Sequence, residues 1–179
     1  GPEDAKAYRE AISSMLEETE RLTRLIDDLL LLARGDARSA GLNPVPLDIS
    51  EMVAAVLDEL KVLAEEKGQI LMTRAPAPVN VVADRSTMTL ALSNVLHNAI
   101  MYTQNGGEIR IATGIEGDRA IVEVSDNGPG IPEDQRVRIF DRFYRLDPSR
   151  SSSEGGSGLG LSIAKWAIEV NGGTIEFIG

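Results

Sequence analysis

Asp126-Asn127-Gly128-Pro129-Gly130-Ile131 follows directly on Ile121-Val122-Glu123-Val124-Ser125, a segment that alternates apolar and polar residues with the period of a strand. One carboxylate is thereby expected at the C-terminal edge of a strand, where ligand sites commonly form, followed by backbone with little side-chain bulk. A buried carboxylate in that place accepts a hydrogen bond from an exocyclic amine such as that of adenine, and Gly128 and Gly130 let a ring lie against main chain. Asp-Asn-Gly is equally a hairpin turn signal, so this stretch alone leaves turn and site open.

Working outward, residues 108–113 and 119–125 read as a hairpin across Glu116-Gly117-Asp118, leading straight into Asp126. Upstream, a helix is expected over 85–102, and strands over 69–74 and 79–83 flank a proline-containing turn. A short strand over 45–49 is followed by a helix to about Lys67, with Ser50 as the N-cap candidate and Gly68 as the stop. Downstream, Pro132 opens a short helix towards Phe140. The serine- and glycine-rich residues 147–157 read as mobile, residues 159–171 as a helix, and Gly172-Gly173 as a turn into a last strand. This order of elements predicts an α/β fold, a two-layer α/β sandwich, rather than a doubly wound parallel sheet.

The first 34 residues differ in kind. No proline or glycine interrupts residues 3–34, and Met15, Thr19, Leu22, Ile26, Leu29 and Ala33 recur at alternating steps of four and three, which is a heptad seam. Leu16, Leu25 and Leu30 widen the stripe beyond a two-stranded seam, as suits a long helix in a bundle. Residues 35–46 carry two glycines and two prolines among small polar residues and read as a linker, leaving 47–179 as a compact domain.

At 179 residues the chain accommodates one good core plus an appended element. A net charge of -10 with no basic cluster argues against nucleic acid and against an anionic membrane surface as partners, so a phosphate ligand needs local help. Zero cysteines exclude disulfides and thiolate zinc sites, and a single histidine excludes multi-histidine metal sites. No apolar run approaches the length of a membrane span, so this piece is expected to be soluble.

Two further features carry chemistry. Asn94 and Asn98 share one face of the 85–102 helix; the pair either satisfies local backbone or presents amide oxygens, which a hard cation such as magnesium accepts alongside phosphate and water. Gly155-Gly156-Ser157-Gly158-Leu159-Gly160 opens a helix, where free backbone N–H groups cradle phosphate. It lacks the Lys-Ser/Thr ending of a P-loop and does not follow a strand, as the dinucleotide fingerprint would.

In order, the chain contains Asn94-Val95-Leu96-His97-Asn98-Ala99-Ile100-Met101-Tyr102-Thr103, Asp126-Asn127-Gly128-Pro129-Gly130-Ile131, Phe140-Asp141-Arg142-Phe143-Tyr144-Arg145 and Gly156-Ser157-Gly158-Leu159-Gly160-Leu161. This set resembles the N, G1, F and G2 boxes of the sensor histidine kinases, with residues 45–179 similar to their Bergerat-type catalytic ATP-binding domain and residues 3–34 to the second helix of their dimerisation domain. The resemblance implies ATP and Mg2+ as cofactors, with Asn98 as magnesium ligand and catalytic residue and Asn94 near the phosphates. It implies Asp126 on the adenine amino group, Gly128, Gly130 and Ile131 around the adenine, and Tyr102 beside the nucleotide. Gly156, Ser157, Gly158, Leu159 and Gly160 would form the hinge and phosphate contact of a lid, and Arg145 would be the catalytic cation reaching the γ-phosphate, with Arg142 and Arg150 as weaker candidates.

The resemblance also implies a homodimer through the bundle helix, a response regulator receiver domain as partner, and a cytoplasmic place as part of a membrane-bound bacterial receptor, with no nucleic acid and no direct membrane contact. Three departures stand out. Met101 occupies the place of the family's phosphate-contacting basic residue. The phosphoacceptor segment is absent, and His97, inside the N box, reads as a packed or surface histidine. The chain also stops where the family continues into another strand, as a fragment would. The expected function is thus transfer of the γ-phosphoryl of ATP to a histidine absent from this fragment, and the alternative is a non-catalytic nucleotide-binding or scaffolding module of the same fold. An ATP hydrolase of this type would need a glutamate just upstream of Asn98, where His97 stands.

Overall fold

A computed structural model describes residues 2–35, 41–146 and 157–178. The chain divides into two compact units, Gly1–Arg38 and Ser39–Gly179. The first is a single helix, α1 (Pro2–Gly35). Thr19 and Thr23, set among its apolar residues, donate their hydroxyls to the carbonyls of Met15 and Thr19 at 2.7 and 2.9 Å, so the helix satisfies their polar groups internally. Tyr8, Ile12, Met15, Leu16, Leu22, Ile26, Leu29 and Leu30 are exposed along it, the stripe that a bundle helix buries against other helices. Of the expected linker, residues 36–40 lie outside the described residues.

The second unit opens with β1 (Pro44–Asp48), which begins inside the stretch read as linker, and continues directly into α2 (Ile49–Glu66). Asp48, rather than Ser50, is the N-cap: its Oδ1 accepts the Ser50 N–H at 2.8 Å and the Val79 N–H at 3.0 Å, so one carboxylate both starts the helix and ties it to the chain ahead of β3. Gly68 and Gln69 close α2 through N–H bonds back to Glu65 and Ala64. β2 (Ile70–Arg74) and β3 (Asn80–Asp84) follow, then α3 (Arg85–Tyr102), β4 (Glu108–Glu116) and β5 (Arg119–Asp126). β2 and β3 do not pair across their intervening turn: β3 runs antiparallel to β1, and β2 joins β4 in parallel. A parallel pair needs a crossover, and the β3–α3 segment supplies it. β5 completes the sheet antiparallel to β4, in the order β2-β4-β5.

Downstream, Pro132 is followed not by one helix but by two single 3-10 turns, Glu133–Gln135 and Arg138–Phe140. α4 (Gly160–Val170) is the last regular element; residues 174–178 form no strand, contrary to the sequence reading, although Arg136 lies over the Phe177 ring at 5.2 Å. The core lies between the sheet and α2 and α3. Ile109 and Ile111 from β4 meet Met52, Val53 and Val56 from α2 and Leu92, Leu96 and Ile100 from α3, all buried. Each such aliphatic side chain contributes about 1.5–3 kcal/mol. α4 adds Leu159, Ile163, Ala164 and Ala167 at zero exposure. Its small residues allow close packing on α3, which brings the start of one helix to the middle of the other. The result is an α/β sandwich of helices on a mixed sheet, as expected.

Candidate functional site

Side chains alternate along β5, and Val122 and Val124 point towards the helices against the core. Asp126, two residues on and paired with Ile109, therefore emerges on that same side where the sheet ends. The hairpin turn is taken by Gly117-Asp118, which leaves Asp126-Asn127-Gly128 free for a different turn. Asp126 Oδ1 accepts the Gly128 N–H at 2.9 Å, an Asx-type turn that orients the carboxylate by its own backbone. Asn127 locks the exit by exchanging two bonds with Glu108, its N–H donating at 3.2 Å and its Oδ1 accepting at 2.8 Å. The carboxylate is exposed rather than buried as expected; among the described residues Oδ2 carries no hydrogen bond and stands available to a donor.

Gly128 is a requirement of space. A Cβ there would stand 2.6 Å from Asp126 Oδ1, 3.3 Å from the Tyr102 carbonyl oxygen and 3.6 Å from Thr103 Cα. Main chain of the 126–130 segment thus lies directly against the C-terminal end of α3, and a flat ring entering beside Asp126 meets backbone on that side. Gly130 takes a φ of 71° and Ile131 is half-buried.

On α3, the local-backbone reading of the asparagine pair holds at Asn94. Asn94 Nδ2 donates to the Leu90 carbonyl at 2.9 Å, so the amide nitrogen is spent on local backbone and Oδ1 is left towards α4 without a hydrogen bond among the described residues. That oxygen stands 2.9 Å from where a Cβ on Gly160 would be, so residue 160 is small because Asn94 occupies its space. Asn98, one turn on, is half-buried and makes no side-chain hydrogen bond among the described residues, while Tyr102 is 41% exposed. No group of three or more His, Cys, Asp or Glu side chains able to hold a metal occurs among the described residues. Two uncommitted amide oxygens on one helix fit a magnesium ion brought in by nucleotide phosphates, and do not suffice for a cation held by protein alone.

The third component joins the Phe143 segment to the start of α4. Phe143 adopts a φ of 63°, the left-handed region that a bulky residue occupies only under constraint. The constraint is Gly158: its carbonyl accepts the Phe143 N–H at 2.9 Å, it takes a φ of 74°, and a Cβ on it would stand 2.9 Å from the Phe143 carbonyl carbon. Leu159, fully buried, precedes an α4 whose first turn has no side-chain cap, and Ser157 Oγ accepts only the Leu159 N–H, at 3.3 Å. The remaining first-turn N–H groups have the geometry that receives an anion. Arg145 is half-buried and Arg142 exposed; Gly156, Arg150 and most of the expected mobile stretch lie outside the described residues.

Two groups of residues escaped the sequence reading. Asp84 is the N-cap of α3 and is linked to Asn171 at the far end of α4; its signal, an acid just before a helical run, was present in the sequence. Lys67 and Gln69 hold the C-terminal carbonyls of α3, for which the sequence offers no signal, because a lysine before glycine reads as an ordinary helix end. An open concavity of about 330 Å³ lies on the other face of the sheet beside Met72, Arg74, Arg110 and Glu123, and belongs to none of this.

Residues 83–178 match the family profile described as histidine kinase-, DNA gyrase B-, and HSP90-like ATPase. The sensor protein IrlS of Burkholderia pseudomallei (strain K96243) is 39% identical over 173 residues, covering 97% of this chain and 37% of its own length. Among solved structures, full-length ShkA in complex with AMPPNP is similar with a TM-score of 0.83 at 29% identity, covering 96% of this chain and 35% of that one. The histidine kinase ThkA, crystallised in complex with the response regulator protein TrrA, shares the fold at a TM-score of 0.69 and 24% identity, over 87% of this chain and 43% of that chain. The chain thus spans little more than a third of the length of IrlS and of ShkA. With the profile matched over more than half of its residues, this chain belongs to the family of histidine kinase-, DNA gyrase B- and HSP90-like ATPases.

Proposed function

We propose that this chain is the ATP-binding catalytic portion of a sensor histidine kinase, which passes the γ-phosphoryl of Mg-ATP to a histidine outside these residues for onward transfer to a response regulator. The observation that supports this reading is that α3 meets two of the motif segments, its Asn94 amide oxygen standing against Gly160 and its Tyr102 and Thr103 main chain against Gly128. In this reading, Asp126 Oδ2 accepts the adenine amino group, and Gly128, Gly130 and Ile131 flank the base beside Tyr102. Asn98 ligates magnesium, Asn94 stands near the phosphates, the N–H groups of Ser157, Gly158 and Gly160 on either side of Leu159 receive phosphate oxygens, and Arg145 supplies the cation at the γ-phosphate. Gly156 is part of the same lid. Bound Mg-ATP brings the transferable group and the metal charge; the chain contributes position and charge neutralisation, which is most of what phosphoryl transfer asks of a protein.

The same reading makes residues 1–34 a dimerisation helix whose apolar seam meets a second copy, residues 35–46 a linker and residues 47–179 the catalytic domain. The whole protein would work on the cytoplasmic side of a membrane as part of a receptor. The described residues contain no helix long and apolar enough to cross one.

Asn98→Ala tests the metal assignment. Magnesium-dependent ATP affinity should fall about tenfold, the scale on which metal sites respond to loss of supporting groups, with binding in EDTA unchanged. An equal loss in both conditions would make Asn98 structural. The acceptor is tested by incubating the chain with labelled ATP and magnesium, from which it should acquire no acid-labile phosphate. The chain's one histidine, His97, is exposed on α3 one residue from the proposed metal ligand, too close to reach an in-line position. Adding a bundle fragment that bears a histidine should restore transfer to that fragment. Phosphohistidine at His97, or no transfer from a chain that binds ATP, would overturn the reading.

A further inference from the structure

The C-terminal end of α3 is held from outside the helix. Lys67, the last residue before Gly68, sends its Nζ across to the carbonyls of Ile100, Met101 and Thr103 at 2.6, 2.9 and 2.9 Å. Gln69, 8% exposed, donates Nε2 to the carbonyls of Ile100 and Thr103, both at 2.9 Å. Its Oε1 is buried without a partner. Turning the amide over would aim that oxygen at carbonyl oxygens, so the orientation is forced, and the cluster carries an orphaned acceptor in order to place two donors. The last carbonyls of a helix have no partners of their own and bear the negative end of its dipole. Here an ammonium and an amide from another element take them.

We infer that Lys67 and Gln69 are positioning residues for the base-recognition end of the nucleotide site, acting through the α3 terminus on Gly128 and so on the carboxylate of Asp126. The route is short. The carbonyls they bind belong to residues 100, 101 and 103, the Tyr102 carbonyl and Thr103 Cα are the walls that Gly128 lies against, and the Gly128 N–H orients Asp126 Oδ1. The opposite end of the site, where Asn94 meets Gly160, lies more than two turns back along α3. Release of the terminus should therefore loosen recognition of the base before it disturbs the phosphate end.

This inference rests on the proposed assignment of Asp126 to the adenine amino group, and the test separates the two. ADP and inosine diphosphate share sugar and phosphates, but the second has a carbonyl where adenine has the amine. Each is titrated with magnesium into the parent chain and into Lys67→Met by NMR, with urea unfolding run beside them. For K67M, ADP affinity should fall about fivefold, within the usual range for coupling through packed neighbours, while inosine diphosphate binding stays as in the parent. Lys67→Arg, which keeps charge and donors, should restore the preference. Should K67M fail to fold, Gln69→Met, which removes the amide donors and keeps the volume, carries the same comparison. Unchanged ADP affinity, or an equal loss for both nucleotides, would overturn the inference. A parent chain that binds the two equally would instead overturn the assignment of Asp126.

Discussion

Asp126→Asn is expected to weaken ATP binding by about 1.5–3 kcal/mol, since it removes a charged acceptor and can present a donor to another donor. The Gly128 N–H requires an oxygen at 2.9 Å on the substituted side chain, so asparagine keeps the turn only by placing its amide oxygen there. The –NH2 group is then left where Oδ2 stood, facing the adenine amine. That is why the isosteric change should lose nearly as much as truncation while leaving the fold intact. Calorimetry with ATP, with GTP as the control ligand, measures it: the parent should take GTP poorly and the variant should lose most of its preference. Equal ATP affinity in parent and variant would remove Asp126 from the site.

The largest effect on stability belongs to Asp84→Ala, at about 2–3 kcal/mol, as the sum of a lost N-cap and of part-buried backbone donors left without their partner. Asp84 is 9% exposed. Its Oδ2 accepts the Asn43 N–H at 2.9 Å and its Oδ1 the Thr87 N–H at 2.9 Å and hydroxyl at 3.0 Å. Its own N–H donates to Asn171 Oδ1 at 2.7 Å, and Asn171 Nδ2 reaches Thr87 Oγ1 and the Ala167 carbonyl, both at 2.8 Å. The carboxylate thus joins the approach to β1 to the start of α3, while the residue's backbone N–H ties both to the end of α4. The Asn43 N–H foremost, then the Thr87 N–H, hold the Asp84 carboxyl below its ordinary pKa, against the opposing pull of burial. A depressed folded pKa contributes stability that is complete above the unfolded carboxylate value of about 3.9 and is lost as pH falls through the folded value. Urea unfolding should therefore separate parent and variant widely at pH 7 and less well at pH 3. A gap unchanged by acid would mean that the hydrogen bonds matter and the charge does not.

Position along the chain made some of this legible. Alternation in residues 121–125 placed Asp126 at a strand's C-terminal edge, and an unbroken helical run placed Asn94 and Asn98 on one face of α3, because both follow from backbone periodicity alone. Caps were harder. Ser50 and Asp48 are both competent N-caps, and Asp48 holds the position because its carboxylate also meets Val79, a residue 31 positions away. The strands over 69–74 and 79–83 were located closely, yet their placement in different sheets depends on long-range pairing that no local pattern encodes.

The sequence by itself determined the order of elements from α1 to β5, the helix after the glycine-rich stretch and the four motifs that mark the family, all of which are local in the chain. Only the tertiary structure decided that Gly160 is small because Asn94 fills its space, that Gly158 and Phe143 share one strained backbone contact, and that Lys67 closes a helix 33 residues further on. Each of these is a contact between atoms brought together by packing, and its partner is chosen by the shape of the folded core rather than by any neighbour in the chain.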